Sequence, residues 1–166
     1  MAFSRMDHLA ELKKMYYALL NSCGARCPVC DRWGKVYKRP LNATMVRTLV
    51  WLWRLSDHGR EWVDVPREAR RAQGTYDHTK QYSTLKHWGF LEHKENHDNP
   101  LTKESGVWRP TQKAGAFLRG ELAVEKYALT YNDKSHGLSG DLVTPDDILA
   151  GFNYLRLMAE PAMEEL

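Results

Sequence analysis

One stretch constrains the fold more than any other. Residues 84–120 read TLKHWGFLEHKENHDNPLTKESGVWRPTQKAGAFLRG. A helical pattern runs into Trp88-Gly89-Phe90-Leu91, where a glycine permits the sharp turn from helix to strand. A polar loop with Asn99-Pro100 and Ser105-Gly106 follows. The chain then returns through Val107-Trp108-Arg109 to Thr111, a residue suited to cap a new helix. Residues 91–94 and 107–109 therefore read as the two strands of a hairpin. Gly120 ends the helix that Thr111 opens.

The flanking segments extend this pattern. A first helix is expected over 4–21, with Ser4 as cap, Asp7 in the first turn, and Met6, Leu9, Leu12 or Lys13, Tyr16 and Leu19 or Leu20 at helical spacing. A second is expected over 43–56, capped by Asn42, with Val46, Leu49, Val50 and Trp53 as its apolar stripe. Asp57-His58-Gly59 ends it. Residues 62–65 are short and extended, Pro66 opens a short helix to Ala72, and Gly74 breaks that helix. A third main helix follows over 75–88. Its spacing turns His78, Tyr82, Leu85 and Trp88 inward and Tyr76, Thr79, Lys80, Ser83 and His87 outward. Residues 124–131, VEKYALTY, alternate as a strand. A last helix opens at Thr144-Pro145-Asp146-Asp147 and is expected to reach Met158.

The region 42–120 resembles the winged helix-turn-helix superfamily. The resemblance rests on Leu85-Lys-His-Trp88-Gly89-Phe-Leu91-Glu92, the end of a recognition helix entering a wing strand. It rests equally on Trp108-Arg-Pro-Thr111-Gln-Lys-Ala-Gly115-Ala-Phe117-Leu118, the second wing strand and a capped helix. Small proteins of this kind occur in phage and mobile-element genomes. The implied fold is α+β and mostly helical: an N-terminal helix and Cys-rich knot (1–41), a winged helix (42–120) and a C-terminal strand–helix extension (121–166). The implied function is non-catalytic binding of double-stranded DNA in transcription regulation. Tyr76, Thr79, Lys80, Ser83 and His87 would face bases, with Arg60, Arg67, Arg70 and Arg71 on phosphates. Winged helices also dock proteins, so an inhibitor or adaptor of a host or phage machine is the alternative, and a homodimer is a further expectation.

Charge agrees with an anionic partner. Residues 26–90 hold 13 Lys and Arg against 6 Asp and Glu, a balance of +7, whereas residues 91–166 hold 8 against 13, a balance of −5. An unevenly charged, solvated surface gives the same numbers. Aliphatic, aromatic and sulfur residues make up 43% of the 166-residue chain, enough for a packed core. No run approaches the roughly 20 apolar residues of a membrane span, and the N-terminal residues lack an apolar signal core, so no membrane role and a cytoplasmic location are expected.

The three cysteines, Cys23, Cys27 and Cys30, are too few and too odd in number for a disulfide framework. Cys27-Pro28-Val29-Cys30 has the spacing of a structural zinc knuckle, with Cys23 as a third ligand and His58 as the preferred fourth; Asp31 and His8 are the others. The same spacing matches the cluster loop of radical adenosylmethionine enzymes, but Val29 and the helices that follow do not fit that architecture. Reduced thiols in a loop are the plain alternative. His87, His93, His97 and Asp98 lie close in sequence, yet no phosphate loop, nucleophile elbow or His-Glu-x-x-His accompanies them, so no enzyme is expected.

Overall fold

The computed structural model describes residues 5–72 and 81–160. It is a mixed α+β chain. It falls into two compact units. The first comprises residues 1–39 and 128–137; the second comprises 40–127 and 138–166.

In the first unit, helix α1 spans Arg5–Leu20. Only Tyr16 and Leu20 of it are buried. The expected apolar stripe is therefore not a core face over its first half: Met6 is 76% exposed and Leu9 is also exposed. Two-residue strands β1 (Ala25–Arg26) and β2 (Trp33–Gly34) pair antiparallel, Ala25 opposite Gly34 and Arg26 opposite Trp33. Gly34 lies so close to the Tyr16 hydroxyl, Leu20 and Tyr131 that a Cβ there would sit 2.2–2.9 Å from them. The helix is seated by the Val36 N–H donating to the Leu20 carbonyl at 2.9 Å and by a 3.0 Å hydrogen bond between the Tyr16 and Tyr131 hydroxyls.

The second unit begins with helix α2 (Ala43–Leu55). The Asn42 side chain caps it, accepting from the Met45 N–H at 2.9 Å. Val46, Leu49, Val50 and Trp53 are all buried, as expected from the stripe. Burying side chains of this size contributes roughly 1.5–3 kcal/mol each, so this face anchors the unit. Asp57, His58 and Gly59 then take three successive left-handed conformations (φ 47°, 59° and 82°). That reversal leads into β4 (Val63–Asp64) and helix α3 (Val65–Arg71), which is capped by the Asp64 carboxylate on the Arg67 N–H.

The third expected helix lies partly outside the described residues. Its described part, Tyr82–Trp88, is a 3-10 helix rather than an α-helix. Thr84 N–H donates to Gln81 C=O at 3.0 Å and Gly89 N–H to Lys86 C=O at 2.9 Å, three residues back each time. Three residues per turn aligns Tyr82, Leu85 and Trp88 on one face. Leu85 and Trp88 are buried and Tyr82 is half-buried. Gly89, at φ 72°, ends the helix as anticipated.

Strands β5 (Leu91–Glu95) and β6 (Lys103–Pro110) form the hairpin, and β4 pairs on the other side of β6, so the sheet order is β4-β6-β5. Ser105 and Gly106 are inside β6, not in its loop. Gly106 takes φ 75° there, and a Cβ on it would meet the Pro66 ring at 2.9 Å. Trp108 is buried on β6, and helix α4 (Gln112–Leu118) follows, capped by Thr111.

The C-terminal part departs from the expected strand–helix extension. Strand β7 (Val124–Tyr131) is followed by β8 (Lys134–Val143), which was not anticipated; the strand order in this sheet is β3-β7-β8, with β3 at Tyr37–Pro40. Asn132 and Asp133, at φ 48° and 59°, make the tight turn between β7 and β8. The last helix is broken. Thr144 and Asp147 form a capping box at the expected start, but α5 covers only Pro145–Ile148. Gly151, at φ 75°, interrupts the chain, and Asn153 caps a separate α6 (Tyr154–Ala159). Tyr154 accepts from Trp53 Nε1 at 3.1 Å, which ties α6 to α2. Leu155 on α6 is 78% exposed.

Candidate functional site

Two groups of residues carry the functional expectations. In the second unit, α3 presents Arg67, Arg70 and Arg71. Glu68 holds two of them, Arg67 Nε at 3.1 Å and Arg71 Nη1 at 3.0 Å. Arg70 is exposed and has no carboxylate partner among the described residues. Arg60 donates to Asp57 at 3.1 Å, and this hydrogen bond is the first cause that holds the Asp57 carboxyl below its ordinary range. These surface pairs are screened by solvent and contribute little, so a phosphate can compete for the guanidinium.

The bases-facing set is only partly placed. Tyr76, Thr79 and Lys80 lie outside the described residues. Ser83 and His87 are half-buried on the 3-10 helix. The 3-10 geometry changes their relation. At three residues per turn, Ser83 lines up with Lys86, and Thr84 with His87, so Ser83 and His87 do not share a face.

The hairpin is laced by cross-strand ion pairs: Glu92 with Arg109, Lys94 with Glu104 and Glu95 with Lys103. The Arg109 guanidinium also covers the Trp62 ring at 4.3 Å from its centre. His93 stacks on Trp108, with ring centres 4.0 Å apart and nearly parallel planes, and its Nε2 is 2.8 Å from the Glu104 carbonyl. Tyr82 meets the same indole edge-on at 6.0 Å, and burial raises its phenol pKa above the ordinary value. His93 is thus a packing residue of the hairpin. Nothing local signals this, because the pairing register that sets His93 opposite Trp108 is a tertiary fact.

In the first unit, the cysteines sit on and beside the β1–β2 turn. The Cys27 N–H donates to the Arg32 carbonyl at 2.8 Å and the Asp31 N–H to the Cys27 carbonyl at 2.9 Å. Asp31 takes φ 56° to close the turn. The backbone N–H groups of Cys30 and then Val29 hold the Cys27 thiol below its ordinary pKa. Both cysteines are close enough to Tyr16 to help raise its phenol to about 12, after the hydrogen bond with Tyr131 and burial. Cys23 turns elsewhere, its thiol 3.3 Å from the Gly24 carbonyl. His58 belongs to the second unit, where its Nδ1 is 3.5 Å from Asp57 and its ring meets Trp53 edge-on at 5.7 Å. Asp31 pairs with Arg26 at 3.3 Å. Among the described residues no three His, Cys, Asp or Glu side chains gather as a metal-binding group.

No described helix is long and apolar enough to cross a membrane. No family model, no curated protein and no solved structure matches the chain.

Proposed function

We propose that the second unit is a winged helix that binds double-stranded DNA without catalysis, in a regulatory role. The observation that carries this reading is the order of elements together with the sheet. Helix α2, strand β4, helix α3, the 3-10 helix and the β5–β6 hairpin follow one another, and the first strand of the three pairs with the last. That arrangement braces a helix and a hairpin side by side, as a winged helix does. The Arg67, Arg70 and Arg71 cluster on α3 supplies cations beside it. In this reading the groove-facing residues are Tyr76, Thr79, Lys80, Ser83 and His87, with Arg60 on the phosphates.

A second reading is favoured by one observation. The charges of the hairpin are matched across its strands, so it brings little net positive charge to a polyanion. A protein-docking module, acting as adaptor or inhibitor, needs no such charge. Salt separates the two. Phosphate contacts release counterions, so duplex binding weakens steeply as salt rises, whereas an apolar interface barely responds. The test is a fluorescence-anisotropy titration of mixed-sequence duplexes, and of the upstream region of the protein's own gene, starting at about 50 mM salt. Micromolar or tighter binding is expected. The paired Arg70→Ala and Arg71→Ala variant should flatten the salt slope by up to about two units. Absence of binding at low salt would remove the DNA reading.

A further inference from the structure

We propose that the first unit binds single-stranded nucleic acid on the exposed face of residues 26–39, with Trp33 and Tyr37 stacking on bases and Arg26, Arg32, Lys35 and Arg39 on the phosphates. Charge is the first argument. The first unit holds nine Lys and Arg against four Asp and Glu, a balance of +5, whereas the second holds 15 against 17, a balance of −2. Residues 26–39 alone hold five cations and one acid, Asp31. More than half of the +7 of residues 26–90 therefore lies outside the second unit. Arg32, Lys35 and Arg39 stand in no ion pair among the described residues, and Arg26 shares an exposed pair with Asp31. Such a field draws in a polyanion.

The second argument is where the rings stand. Gly34 and its cross-strand partner Ala25 share one face of the β1–β2 pair, and Gly34 is buried against Tyr16 and Leu20. Arg26 and Trp33, the adjoining pair, therefore share the opposite face. The indole is 56% exposed there, yet it is seated: a Cβ on Gly24 would stand 2.5 Å from its Cζ2. Farther along, Tyr37 is 49% exposed, and the Arg39 guanidinium lies 5.8 Å from its ring centre. Trp33, Lys35, Tyr37 and Arg39 thus alternate ring and cation at every second residue. That alternation selects the partner. A duplex hides the faces of its bases in the stack. A single strand presents them, and exposed aromatic side chains take them while cations follow the backbone. A membrane-binding face gathers its rings on one apolar side, whereas here cations separate them.

This surface is independent of the duplex reading of the second unit, and the tests separate the two. The probe is a fluorescein-labelled oligothymidylate of about 12 nucleotides, which forms no duplex, titrated with the full chain at about 50 mM salt. Micromolar binding is expected, with quenching of tryptophan fluorescence as bases stack. Trp33→Ala and Tyr37→Ala should each weaken binding about 5- to 150-fold, and Trp33→Phe, which keeps a ring, should recover most of the loss. Arg32→Ala combined with Arg39→Ala should flatten the salt slope by about 1.4 units. The paired Arg70→Ala and Arg71→Ala variant should leave oligothymidylate binding unchanged, whatever it does to a duplex. No binding at low salt, binding unaltered by both ring variants, or binding lost with the Arg70 and Arg71 variant would each overturn the proposal. So would tighter binding to phosphatidylserine vesicles than to the oligonucleotide, lost on Trp33→Ala, since the face would then be a lipid site. If Trp33→Ala fails to fold by circular dichroism, Tyr37→Ala and the salt slope of the Arg32 and Arg39 variant decide.

Discussion

Gly115→Ala is a sharp test of the packing around Trp53, because two effects of opposite sign meet there. Gly115 lies inside α4, where alanine is favoured over glycine by about 1 kcal/mol. A Cβ at this position would stand 2.3 Å from Trp53 Cη2 and 2.7 Å from Cζ2. Carbon atoms prefer about 3.5–4.0 Å, so the ring would have to retreat by roughly 1 Å. It has nowhere to go. Trp53 is 2% exposed, its Nε1 donates to Tyr154, and its Cζ3, next to the crowded Cη2, faces the Gly59 turn. Overpacking of a rigid core costs about 1–3 kcal/mol, and this geometry places it near the top of that range. The net result is a loss of about 2 kcal/mol, or roughly 4–8 °C in Tm for a chain of this size. Urea unfolding followed by far-UV circular dichroism measures it. The same substitution in a Trp53→Phe background should cost less than about 1 kcal/mol, a coupling expected only of touching residues. Equal or greater stability of Gly115→Ala alone would refute the close approach.

Three further outcomes follow from the same geometry. Gly59→Ala should destabilise by at least about 2 kcal/mol in urea unfolding, since it adds a left-handed penalty of about 1–2 kcal/mol to a Cβ placed 2.6 Å from the Pro110 carbonyl oxygen. Asn42→Ala should cost about 1 kcal/mol through the lost cap on α2, read as a shift in the urea midpoint at constant slope. Asp147 accepts from the Thr144 N–H and hydroxyl, and the N–H bond is the first cause that holds its pKa below 3.8. A depressed carboxylate stabilises the fold above its unfolded pKa and loses that contribution as pH falls through the folded value. The gap between the natural chain and Asp147→Asn should therefore be largest near neutrality and shrink below about pH 3.8, as read from urea midpoints across that range.

Several elements were legible because local chemistry alone decides them. Asn42, Gly89, Thr111 and Thr144 each sit at the helix end that their side chains, or the lack of one, predict. The stripe of α2 and the alternation of β7 work in the same way. What escaped depends on partners distant in sequence. Strand β8 is polar or glycine-rich along most of its length and buries only Val143, so it carries no period to read. The spacing of Tyr82, Leu85 and Trp88 suits a 3-10 helix as well as an α-helix, and only the hydrogen bonds distinguish them. Two-residue strands β1 and β2 are too short to signal at all; the Cys-Pro-Val-Cys turn between them was the visible part. The arginines of α3 were recognisable as cations, but their sharing of Glu68 was not, because ion pairing is a property of the folded surface.

The discontinuous first unit has a consequence for synthesis. Its two segments are separated by residues 40–127, and the Tyr16–Tyr131 contact joins positions 115 apart. On the ribosome, residues 1–39 emerge first and cannot be completed until the chain has grown by another 98 residues, to position 137. At about 5–20 residues per second that wait lasts about 5–20 s. Closing so long a loop also adds to the entropic barrier, which slows such contacts relative to local ones. Throughout this interval the nascent Cys27–Cys30 turn lacks Tyr131 and the rest of its late-arriving partners. The window in which it meets metal, oxidant or another nascent chain is therefore set by translation speed, and slowing elongation between codons 40 and 137 would lengthen it.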